Sequence, residues 1–259
     1  MRSTFLLPLL ILGGCSHFQP ESILYSNELV PSSYQASEDR YAVDEGGSVT
    51  YVLEGLRVRV EPMEDDELNA IFPEESTRGQ FSTNPYTYGN WIDPLVGHTP
   101  KRFTVFRVTI INDIYAKVLL DPIKAMLYTD QGEVLHSYGL PSVSPHNSFE
   151  RYYRAIRGQS GNEFYRFDLR MGNVRSTAYL EDVRVFKGES YSGLLAFDPL
   201  SEEVRQVRLT LRDFVTKFDA SGQPIETVDI SMEFDQEIDR RVAPQTAARQ
   251  VPPGGGQAP

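Results

Sequence analysis

Along most of this chain polar and apolar residues alternate with a period of two, the signature of half-buried strands. The densest run spans Phe103 to Tyr138. Phe106, Val108 and Ile110 share one face there, while Val105 and Ile111 lie on the other beside Arg107 and Thr109. Asn112-Asp113 ends that strand. In the next run Leu119, Ile123, Ala125 and Leu127 share a face, and Pro122 marks a bulge or an edge. Thr129 to Glu133 then turns the chain into Val134 to Tyr138 as a hairpin. Before this core, Leu56, Val58 and Val60 alternate with Arg57, Arg59 and Glu61. After it, Val207, Leu209 and Leu211 alternate with Arg208, Thr210 and Arg212, and Asp213-Phe214 shifts the register as a bulge would. Ala220 to Gln223 makes a turn into Val228, Ile230, Met232 and Phe234. About seven strands are predicted, at 55–62, 103–112, 117–129, 132–138, 192–198, 204–216 and 225–235. Runs of antiparallel strands joined by hairpins favour a β-sandwich over a parallel α/β sheet.

The period changes in three places. Met63 to Pro73 opens with four consecutive acids and carries Leu68, Ile71 and Phe72 on one face, which predicts a short helix. Phe149, Tyr152, Tyr153 and Ile156 fall at helical spacing, with Asn147 as cap, Glu150 three residues on and Gly158 at the end. Asn162 to Tyr179 is aromatic and basic, and its structure is ambiguous. Between the first helix and the core, Glu74 to Lys101 has no strong period but holds Phe81, Tyr86, Tyr88 and Trp91 among Asn, Gly and Pro. A loop of that length in a compact domain is often functional. We favour a cap folded back on the sandwich; the alternative is a ligand or partner surface built on Tyr86, Tyr88 and Trp91.

The two ends read differently. Residues 1–14 carry Arg2, an apolar core from Phe5 to Leu12 too short to span a bilayer, and Gly13-Gly14 before Cys15. This resembles the lipobox of bacterial lipoprotein signal peptides, and the chain's single Cys sits where that motif puts it. The resemblance implies a lipid-modified Cys15 at the mature N-terminus and anchoring by several acyl chains. Ser16 stands where proteobacterial lipoproteins retained in the inner membrane carry Asp, which implies export to the outer membrane. The alternative is a plain secretory signal with an accidental Cys. Residues 15–47 read as a tether of roughly 30 Å, with the alternative that Ile23 to Tyr34 packs along the domain. The folded domain is expected over 48–238, with a helical insertion at about 146–180, and 239–259 as a disordered Pro/Gly-rich tail.

Composition narrows the chemistry. The net charge is −11 and becomes about −12 once residues 1–14, whose one charged side chain is Arg2, are removed. That argues against nucleic acid and against broad adhesion to anionic lipid. A lipidated Cys15 leaves no thiol for disulfides, nucleophilic catalysis or metal binding. His17, His98, His136 and His146 are scattered without an HExxH pattern. Gly188 to Gly193 lacks the final Gly of G-x-S-x-G at the required position. The acids at Glu64 to Glu67 lack the alternation and central Gly of a calcium loop. No enzyme activity, metal or cofactor is expected. Residues 149–175 carry six Arg against Glu150, Glu163 and Asp168, so Arg151, Arg154 and Arg157 are candidates for an anionic partner. We favour their pairing with the domain's own carboxylates.

The order of elements resembles Gram-negative lipoproteins with an immunoglobulin-like domain. The resembling pieces are the lipobox, Gly55 to Pro62, the strand ending at Asn112, and Ser192 to Asp198 followed by the last hairpin. The resemblance implies an immunoglobulin-like antiparallel β-sandwich and supplies no catalytic residues. The expected protein is membrane-anchored through its N-terminal lipid at the outer membrane, facing the periplasm. It binds or scaffolds an envelope protein partner. The alternative is a glycan- or lipid-binding lipoprotein with a pocket lined by Tyr86, Tyr88 and Trp91.

Overall fold

The computed structural model describes residues 23–35, 39–156 and 163–242. Cys15, Arg157 and the segment 243–259 lie outside the described residues. The chain is mainly β, with antiparallel sheets packed face to face and a helical insertion.

In chain order the strands are β1 (Ile23–Pro31), β2 (Tyr41–Val43), β3 (Val49–Leu53), β4 (Leu56–Met63), β5 (Thr104–Asn112), β6 (Lys117–Leu119) and β7 (Met126–Thr129). Then follow β8 (Val134–His136), β9 (Tyr138–Gly139), β10 (Asn147–Ser148), β11 (Arg184–Phe186), β12 (Glu189–Phe197), β13 (Gln206–Phe218) and β14 (Pro224–Val242). The helices are α1 (Asp65–Ile71), α2 (Phe149–Ile156) and α3 (Glu163–Thr177). One sheet runs β12-β5-β4-β3-β2, a second runs β1-β14-β13-β6-β11 with β7 paired on β13 and β8 on β7, and β9 and β10 form a small parallel pair.

The alternation predicted in β4, β5, β13 and β14 puts one face of each strand into a shared core. Leu56, Val58, Val60, Phe106, Val108 and Ile110 meet Leu209, Leu211, Ile230, Met232 and Phe234 there. The opposite face of the five-stranded sheet is also apolar. Met63, Val105, Leu194 and Ala196 point away from the sandwich into a second core. The helical insertion and the aromatic loop cover that face: Leu68 and Phe72 of the α1 region, Tyr86, Phe149, Tyr153, Met171 and Val174 pack onto it. A sheet apolar on both faces needs a layer on each. The insertion and the aromatic loop therefore form a third layer, so the loop folds back over the outer face of the sheet and does not cap one end of the sandwich.

Several expectations are corrected. Residues 23–35 are not tether: β1 pairs antiparallel with β14 from Ile23↔Val242 to Pro31↔Phe234. Buried Gln35 then accepts the Glu233 amide at 2.8 Å. The alternative that Ile23 to Tyr34 packs along the domain is what the structure adopts, because β14 would otherwise be a long bare edge. Residues 239–242 of the expected tail complete β14. The run 117–129 is broken, with Pro122 opening a 3-10 turn at 122–124 where Asp121 accepts the Ile123 amide. The bulge at Asp213 is present, and its φ of 52° produces the register shift between Leu211 and Phe214. Asn162 to Tyr179 resolves as α3 over its described part. In α1, Leu68 is buried and Ile71 is exposed.

Candidate functional site

Local chemistry fixes where the candidate residues end up. Asn84 is wholly buried and acts as a staple, its amide donating to Leu68 O at 3.1 Å and Ser76 Oγ at 2.9 Å while its carbonyl accepts from Tyr86 N at 2.9 Å. This holds Tyr86 inside the second core against Phe72 and Phe149, with its hydroxyl on Thr177 Oγ1 at 2.8 Å. Burial pushes the Tyr86 hydroxyl well above its ordinary value. Tyr86 is fully buried and is removed from the candidate surface. Tyr88 and Trp91 are half-buried and pack edge to face, 5.5 Å apart. Tyr88 also carries the buried Arg102 guanidinium 4.1 Å from its ring centre.

The arginines are spent locally. Arg151 donates to the carbonyls of Ser142, Ser144 and His146, so it ties the loop before α2 to the helix. Arg154 pairs with Glu150 one turn away. The expected cap Asn147 instead donates to His136 O at 3.0 Å and Asp198 Oδ2 at 3.2 Å. Ser148 Oγ accepts the Arg151 amide at 3.3 Å in its place. The favoured pairing with the domain's own carboxylates is made by Arg154, through Glu150, whereas Arg151 bonds backbone carbonyls instead.

A groove of about 400 Å³ opens elsewhere. It lies between the first half of β1, the start of α1 and the end of the aromatic loop, with Tyr25, Glu28, Asp65, Asp66, His98 and Lys101 on its walls. β1 is held in place by its register on β14. α1 is held by a reciprocal capping box between Glu64 and Glu67. Tyr25 and His98 stack across one wall at 4.0 Å and 20°. Lys101 Nζ sits 2.6 Å from Glu64 and 3.3 Å from Asp65. Burial works to lower the Lys101 ammonium, but Asp65 and Glu64 outweigh it and hold it above its ordinary value. Burial raises both carboxyls, and Lys101 offsets this only in part. Two acids share one ammonium, so the site keeps excess negative charge. Glu28 and Asp66 add to it.

The sequence placed Tyr88 and Trp91 near this region but missed the groove residues. Its one readable signal was the acid run at Glu64 to Glu67, interpreted as a solvated helix start. Tyr25, Glu28 and Lys101 become neighbours only through β1 pairing. Among the described residues no group of three His, Cys, Asp or Glu is placed to hold a metal ion, and no helix is long and apolar enough to cross a membrane. Compared with family models, curated proteins and solved structures, the chain finds no match.

Proposed function

We propose that this chain is a non-catalytic binding module of the cell envelope, lipid-anchored through Cys15 at the outer membrane and facing the periplasm. In this reading the groove beside β1 receives a basic segment of an envelope protein partner. The observation that carries the binding site is the groove itself, with four carboxylates, Glu28, Glu64, Asp65 and Asp66, facing one ammonium, Lys101. Its volume suits a few side chains, and its charge favours a cationic group. The anchor is supported by the lipobox ending at Cys15.

In-cell photocrosslinking from Asn69 and Asp66 tests the groove. A discrete protein adduct is expected, and it should vanish when Glu28→Lys and Asp65→Lys are introduced together. Adducts that survive this reversal would overturn the groove as the binding face.

A further inference from the structure

We propose that the loop tip Ile92 to Val96 inserts into the lipid surface beside the acyl anchor and fixes which end of the sandwich meets the membrane. This rests on the lipidation of Cys15 proposed above. Leu95 is 92% exposed, Ile92 59% and Val96 43%, so three large apolar side chains stand together on one tip. Water is a poor solvent for such a cluster, and a patch of this kind on an acidic surface marks a contact site.

The tip is built rigidly. The Asp93 amide donates to His98 O at 3.0 Å, and the Gly97 amide returns to Asp93 O at 2.8 Å. Asp93 Oδ1 accepts the Leu95 amide at 2.8 Å. Gly97 takes the φ of +77° that closes the turn. A preformed tip loses little conformational entropy on insertion.

Chain length selects the occupant. Cys15 and Ile23 are separated by residues 16–22. Even fully extended, that stretch reaches only about 28 Å. The lipid surface must therefore lie close to the start of β1. The apolar tip is there too, because His98 stacks on Tyr25, the third residue of β1. The exposed Ile225 stands at the opposite end of β14, 17 residues from Val242. At strand spacing that is roughly 55 Å away, beyond the reach of the anchor. Charge does not drive the contact. The arginines paired in register with Leu24 and Tyr25, Arg241 and Arg240, are matched by Asp239 and Glu202. Insertion should thus gain nothing from anionic lipid, which the carboxylates of the adjacent groove oppose.

The test uses the mature chain purified from membranes and reconstituted in phosphatidylcholine vesicles, with and without phosphatidylglycerol. Intact mass reports whether Cys15 carries lipid. A Leu95→Trp reporter in a Trp91→Phe background, and an Ile225→Trp reporter in the same background, report depth through quenching by brominated acyl chains. The expected result is strong quenching at 95, none at 225, and no gain from phosphatidylglycerol. In the otherwise native chain, Leu95→Ser should speed transfer between vesicles by about ten- to a hundredfold, with unchanged thermal melting. A lipidated chain whose position 95 is unquenched overturns the insertion and leaves the anchor standing. A chain without lipid on Cys15 overturns both.

Discussion

Replacing Lys101 by Met puts the electrostatics of the groove under direct test. The ammonium sits between Glu64 and Asp65, at 2.6 and 3.3 Å. Removing one partner of a fully buried pair costs about 3–5 kcal/mol, whereas an exposed pair is worth up to about 1 kcal/mol. The Lys101 side chain is 20% exposed, and those of Glu64 and Asp65 are 33% and 20%. The loss should fall between these limits, at about 2 kcal/mol in neutral solution. Its pH dependence has a defined sign. Burial already holds both carboxyls above their ordinary values. A carboxyl raised in the folded state binds its proton more tightly there than in the unfolded chain. Its stabilising contribution is present in acid and is lost as the pH rises through the folded value. Without Lys101 both carboxyls rise further, so the cost of the substitution grows as the pH rises from about 4. Urea unfolding of both chains, near pH 4 and near pH 7.5, reads the difference. An equal loss at the two pH values, or a larger loss in acid, would refute the reasoning. The same substitution leaves four carboxylates unopposed by Lys101, so partner crosslinking from Asn69 should strengthen while stability falls.

Cys15→Ala should release the chain from sedimented membranes; persistent pelleting would sink the anchor. Gly193→Ala would put a Cβ 2.5 Å from Tyr179 Cα and 2.6 Å from Tyr179 N, backbone atoms that cannot swing aside. We expect a loss of about 2–4 kcal/mol in a urea melt. Gly172→Ala, on α3 with open space around it, should instead gain about 0.5–1 kcal/mol by the same measurement. Arg151→Ala removes three bonds to the loop before α2, two of them solvent-exposed, and should cost about 0.5–1.5 kcal/mol, whereas Arg154→Ala should change little.

The sandwich was legible because its strands obey a period of two and its turns use Gly and Asn. Phe106, Val108 and Ile110 were assigned to one face from spacing alone, and that face is the core. The second core was less legible. Val105 was seen on the opposite face of β5, but Arg107 and Thr109 beside it gave a surface pattern. Only Met63, Leu194 and Ala196 from neighbouring strands complete that apolar area. β1 was misread for a related reason. Ser26, Asn27 and Glu28 look like linker, yet an edge strand needs only backbone groups and a few contacts such as Leu29. The groove inherits this difficulty, because three of its walls come from segments distant in sequence.

The third layer changes where a partner can bind. In the sequence the Arg-rich insertion is a candidate positive face, although pairing of its arginines with the domain's own carboxylates is favoured. In the structure its aromatic side is committed to the outer face of the five-stranded sheet. Arg151 is committed to carbonyls of the loop before α2, and Arg154 to Glu150. Tyr86 is likewise committed to packing. With these removed, three features converge at one end of the domain: the start of β1 near the proposed anchor, the rigid apolar tip at Leu95, and the acidic groove between them. An anchor within about 28 Å of β1 keeps that groove at the membrane surface. A partner reaching it would therefore present its basic segment close to the membrane, not far out in the solvent.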